Sequence, residues 1–224
     1  MHIEPGIVSG AKIALSYVTS AASLGVAAKL AFDELKQTKS AAFFIKAVIS
    51  TVMVFCFFEV LPHVPVGVSE VHLILGTTLL LVFGAAAASA GLALGLLAQG
   101  VFFAPLDLPQ YGMNVTTLLI PLFAVAMLAK NIIPKDTAYV DLKYSQVLKL
   151  STAYQGGVVA WVGFWALYGQ GFGAENLSAI ATFGASYAAV IAVEPLIDLA
   201  VLAGAKKLSS TLKGSNLVAA RLYA

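Results

Sequence analysis

From Val71 to Ala104 the chain runs for 34 positions without an aspartate, glutamate, lysine or arginine. A stretch of that length and apolarity belongs either in a lipid bilayer or in the core of a large protein. Composition decides between them: 60% of the 224 residues are hydrophobic, the mean hydropathy is +0.91, and only 11% are charged, against about 25% in a soluble domain. The sequence therefore predicts an all-α integral membrane protein. Nucleic-acid binders and cytosolic α/β enzymes are excluded, and so are disulfide scaffolds, because Cys56 is the single cysteine. At about 20 residues per spanning helix, such a chain crosses a bilayer about seven times. Residues 1–224 then form one membrane domain, with no soluble domain and no room for a nucleotide-binding one.

Apolar runs bounded by glycine, proline and charge place the spans near 7–30, 41–61, 71–84, 85–104, 114–130, 150–170 and 177–203. Gly84, followed by Ala85 to Ala88 and the Gly91/Gly95 pair, breaks the long run into two. Seven spans put the termini on opposite sides. Lys29, Lys36, Lys39, Lys46, Lys130, Lys135, Lys143, Lys149, Lys206, Lys207, Lys213 and Arg221 then share one side, and Lys12 alone takes the other. Since cytoplasmic loops carry the positive excess, the C-terminus is expected in the cytoplasm and the N-terminus outside. Glu4, Glu59, Glu70, Asp107 and Glu175 make the outer face acidic, which concentrates cations there.

All three histidines fall on that outer face. His63 and His72 bracket LPHVPVGVSEVH, a loop by its Pro62, Pro65, Gly67 and Ser69, and His72 is expected to open the next helix, facing the bundle interior. His2 follows the first residue directly, so the α-amine of Met1, the amide nitrogen of His2 and its imidazole Nδ1 can close fused five- and six-membered rings around one metal. A fourth nitrogen, assigned to His72, completes a planar set that suits Ni(II), Cu(II) or low-spin Co(II) over Mg or Ca.

At these residues the chain resembles a known family. MHIEPG at the start, VPVGVSEVHLILG before the third span, LPQYGMNVTTLL entering the fifth and AVEPLIDLAVL in the seventh are similar to the CbiM/NikM family. These are the substrate-capture (S) components of cobalt and nickel energy-coupling-factor transporters. The resemblance implies that Met1, His2 and His72 hold a transported Co(2+) or Ni(2+), with no other cofactor. It also implies partners in the cell (inner) membrane: a transmembrane coupling (T) subunit and two ABC ATPase subunits, with a small accessory membrane subunit left open. Glu4-Pro5-Gly6, Gly67-Val68-Ser69-Glu70-Val71 and Met113 depart from the family pattern around the four nitrogens.

Other polar residues carry weaker expectations. Asn114 is read as a helix cap or as a group orienting an imidazole, and Ser69 as a cap or as support for the metal ligands. Gln99 should find a neighbouring helix. His63 is read as solvated, and Glu59 and Glu70 as solvated cation attractors. Glu194 and Asp198 are placed near the cytoplasm, paired with Lys143, Lys149, Lys206 or Lys207. Gly91/Gly95 reads as packing, Ser16/Ser20 and Ala21/Gly25 on the first helix as a partner surface, and Trp161, Trp165, Tyr168 and Phe172 as an interfacial belt. Two rivals remain: an ion-coupled secondary carrier using Glu194, Asp198 and Gln99 as a relay, and an intramembrane enzyme using Glu59 and Glu70 beside the histidines.

Overall fold

The computed structural model describes residues 2–37 and 40–208; Met1, Lys39, Lys213 and Arg221, used in the sequence argument, lie outside them. Seven helices form at the expected places: α1 (Ala14–Gln37), α2 (Ser40–Phe55), α3 (Gly76–Phe83), α4 (Ala85–Phe102), α5 (Tyr111–Ile132), α6 (Tyr144–Gln170) and α7 (Ala174–Lys207). Between α2 and α3 stand two short antiparallel strands, β1 (Val64–Val66) and β2 (Ser69–Val71). Gly67 turns between them at φ +63°, where a Cβ would lie 2.2 Å from the Ala179 carbonyl oxygen on α7. The hairpin tip therefore rests on α7, and only glycine allows both the turn and the approach.

Among the described residues, five segments are long and apolar enough to cross a membrane, and large hydrophobic side chains such as Phe32, Phe44, Val48, Met127 and Leu196 point outward along them. Lipid is the solvent that suits such outward-facing apolar surface. The chain is a multi-pass membrane protein.

α3 differs from the span expected over 71–84. It has eight residues, about 12 Å of helix against about 30 Å of hydrocarbon. Residues 72–75 before it are non-helical, so His72 does not open a helix. Backbone amides there would cost several kcal/mol if left unpaired in a membrane interior. Glu194 on α7 prevents this, because its carboxyl accepts from the Ile74 N–H and, at 3.0 Å, from the Leu75 N–H. Leu75 adopts φ +54°, a costly left-handed conformation for a branched side chain. Gly76 follows against the fully buried Tyr154 ring, where a Cβ would come within 2.3 Å.

Gly84, at φ +88°, joins α3 to α4 with a single residue, as the sequence predicts. α4 returns against α2, where Cβ atoms on Gly91 and Gly95 would lie 2.0 Å from Ser50 Oγ and 2.7 Å from Val54. The packing reading of that pair holds. On α1 the two pairs separate: Ser16 and Ser20 are buried, with Ser16 against Gly112 of α5, whereas Ala21 and Gly25 are exposed.

Candidate metal centre

One end of the bundle gathers the N-terminal segment, the hairpin, the ends of α2, α4 and α6, and the starts of α5 and α7. What orders the N-terminal segment is backbone pairing. Ile3 bridges Ser69 in antiparallel fashion, Glu70 N–H donates to the His2 carbonyl at 2.9 Å, and Glu4 N–H donates to the Val68 carbonyl at 3.2 Å. Residues 2–4 thus add a third strand to the hairpin. The Ser69 hydroxyl donates to the same His2 carbonyl at 2.8 Å, and Asn114 Oδ1 accepts the Ile3 N–H at 2.8 Å. Beneath this strand, Ile3, Val8, Met113 and Trp165 form a small apolar core.

That pairing brings together residues far apart in sequence. The His2 and His72 ring centroids stand 5.1 Å apart, with Phe58 edging both. His2 Nδ1 and His72 Nε2 both approach one atom, Glu70 Oε2, at 2.7 and 2.8 Å. Each His2, Glu70 and His72 side chain offers one donor atom, and the three lie within 4.8 Å of one another. His2 Nε2 and His72 Nδ1 have no hydrogen-bond partner among the described residues. The imidazoles are almost fully buried, while the Glu70 side chain keeps 22% of its surface.

Burial fixes the protonation of this cluster. Loss of solvent pushes both imidazoles below their ordinary 6.5, an effect that the Glu70 carboxylate only partly opposes. Burial pushes Glu70 upward, but the hydrogen bonds from His2 and His72 outweigh it and hold its carboxyl well below the usual carboxylate range. At neutral pH the cluster is one carboxylate between two neutral imidazoles, each presenting a nitrogen to it. Neutral imidazole is the form that binds a metal.

Several expectations change here. Glu70 is not a solvated attractor: the strand places its side chain between both histidines. Because side chains alternate along a strand, local spacing does not show this contact with His2, 68 residues away. Asn114 is not a cap; it lies inside α5, buried, and holds the N-terminal strand rather than a ring. His63 remains exposed and has a ring stacked on His72 at 5.0 Å, with Nδ1 3.2 Å from the Leu61 carbonyl. Gln99 finds the neighbouring helix segment, donating to Glu59 at 3.4 Å. Trp165 is no interfacial anchor: it is fully buried, and Trp161 and Trp165 both donate to Thr116 Oγ1, at 3.1 and 3.3 Å. Phe172 is exposed.

Glu194 and Asp198 are also corrected. Among the described residues, neither pairs with a lysine. Besides the Ile74 and Leu75 amides, Glu194 accepts from Gln155, which in turn accepts the Tyr187 hydroxyl at 2.6 Å, and Asp198 accepts from the Thr78 hydroxyl.

A family model described as the cobalt uptake substrate-specific transmembrane region matches residues 2–212. No protein of curated function matches the chain. Among solved structures, a transition metal transporter is similar with a TM-score of 0.66 and 19% identity, covering 96% of this chain and 95% of that one. A truncated transition metal transporter gives 0.64 and 18%, covering 94% and 99%. At such identities the structural likeness speaks for the fold.

Proposed function

This chain belongs to the cobalt uptake substrate-specific transmembrane family, CbiM, and from that membership we propose that it is the capture subunit of an ATP-driven importer for Co(2+) or Ni(2+). Uptake of a transition metal is what the family does. The ATP-driven assembly, a transmembrane coupling subunit with two ABC ATPases, is supported by the resemblance of the four sequence motifs.

The ligands proposed are the Met1 amine, the His2 amide nitrogen and Nδ1, and His72 Nε2. One observation carries this assignment: the His2 nitrogen that can close the chelate ring is the one that faces the His72 nitrogen, and both converge on a single oxygen at 2.7 and 2.8 Å. A ring turned so that Nε2 faced His72 would close no chelate. Ser69 and Asn114 serve as supports, fixing the His2 carbonyl and the Ile3 amide so that the terminus arrives in register with the hairpin.

Orientation follows from charge. Lys29, Lys36, Lys130, Lys135, Lys206 and Lys207 lie at or near the helix ends remote from the histidine cluster, so the positive-inside rule puts the cluster outside the cell membrane. Metal is then taken from outside and released inward when the partners act. A carrier relay through Gln99, Glu194 and Asp198 has less support, since Gln99 bonds to Glu59 while Glu194 is engaged by Ile74, Leu75 and Gln155.

The test compares His72→Ala with His63→Ala in protein purified with a native N-terminus and titrated with Ni(II) and Co(II). His72→Ala should abolish high-affinity binding; His63→Ala should stay within a few-fold of the parent. The reverse result removes His72 as the fourth ligand.

A further inference from the structure

We propose that Glu70 binds the captured metal directly, adding an oxygen to the four nitrogens and making the site five-coordinate. This rests on the ligand set proposed above and extends it to metal preference.

Glu70 Oε2 is the one atom on which His2 Nδ1 and His72 Nε2 converge, so a cation held by those nitrogens has the carboxylate within bonding reach. Glu70 is also tethered there. Its N–H donates to the His2 carbonyl, and its neighbour Ser69 donates to the same carbonyl. The strand that brings His2 to the metal therefore brings Glu70 with it.

Charge supports the same conclusion. The amine and two imidazoles are neutral when they bind, and the displaced amide proton leaves one negative charge, so four nitrogens around a divalent ion carry a net charge of +1. His2 and His72 are only 2% and 1% exposed, and an uncompensated charge there is costly. One carboxylate brings the site to neutrality. Among the described residues, Glu70 is the acid whose oxygen reaches both rings.

An oxygen above the nitrogen plane has a spectroscopic consequence. Ni(II) in four planar nitrogens is low-spin and diamagnetic, whereas a fifth donor on the axis favours the paramagnetic high-spin ion. The purified full-length protein, with its native N-terminus and a C-terminal tag, is loaded with Ni(II) and examined by magnetic susceptibility and X-ray absorption. Parent protein should be paramagnetic and lack the pre-edge feature of a square plane. Glu70→Gln, which keeps the size and an acceptor oxygen for the rings, should bind Ni(II) at least tenfold more weakly and shift to the diamagnetic planar form. Diamagnetic, planar Ni(II) in the parent, unchanged in Glu70→Gln, overturns the ligand assignment and leaves the four-nitrogen site intact. If the parent takes up no Ni(II) or Co(II), the capture reading itself fails, and this inference with it.

Discussion

Two carboxylates in this protein, one half-buried and one fully buried, face opposite demands. Glu70 sits between His2 and His72, on side-chain nitrogens that a metal can take over, and part of its surface meets solvent. Glu194 sits in the middle of the bundle and receives two backbone amides and the Gln155 side chain. The first has exchangeable partners, whereas the second is committed to holding the backbone. A buried acid is therefore a binding candidate when its partners could themselves bind the ligand, and a structural element when they are amides of the main chain.

That contrast breaks most visibly at Glu194. Glu194→Ala strands the Ile74 and Leu75 amides in the bundle interior, at a cost of about 3 kcal/mol or more, so thermal unfolding in detergent should move strongly downward. Glu70→Ala, which frees two imidazoles at the rim and no main-chain amide, should lower the same transition by much less. Equal melting of both variants would erase the distinction between the two acids.

Acid sharpens it next. Burial already keeps both imidazoles neutral below their ordinary 6.5, so a falling pH acts on binding through the Met1 amine, whose reference value is about 7.8, and through the His2 amide proton that metal must displace. Ni(II) affinity should fall about tenfold per pH unit above that value and about a hundredfold per unit below it. For stability the sign is the same. The lowered imidazoles and the lowered Glu70 both mean that the unfolded chain binds more protons. The cluster therefore loses stability as pH drops below 6.5, and further through the ordinary carboxylate range. Competition titrations from about pH 9 to 6 check the slope. A break confined to the region near 6.5 would make the imidazoles the controlling groups.

The smallest effect concerns the support. Asn114→Ala removes the acceptor of the Ile3 N–H, worth about 1–3 kcal/mol, and should weaken metal binding about tenfold while the bundle melts as before. An unchanged affinity would show that the strand pairing alone positions His2.

The seven helices and the break at Gly84 were legible because apolar runs and glycine act locally. The third helix was less so, since residues 72–75 stay outside it and the Ile74 and Leu75 amides are held by a carboxylate some 120 positions away. Pairing of His2 with His72 followed from chelate chemistry, whereas the place of Glu70 depended on a strand made by residues 2–4, which are too few to show alternation. Trp165 misled for a related reason. An aromatic near a helix end suggests a membrane interface, yet the N-terminal segment covers it.

Whether the terminus itself grips the metal is tested most directly by a short extension. Protein with its native start is compared with protein carrying Gly-Ser ahead of Met1, both tagged at the C-terminus and matched for membrane expression, and bound Ni(II) and Co(II) are measured by elemental analysis and titration. Extension turns the Met1 amine into a peptide nitrogen, so high-affinity binding should be lost while the bundle remains folded. Full metal binding by the extended protein would contradict the assignment of Met1 and His2.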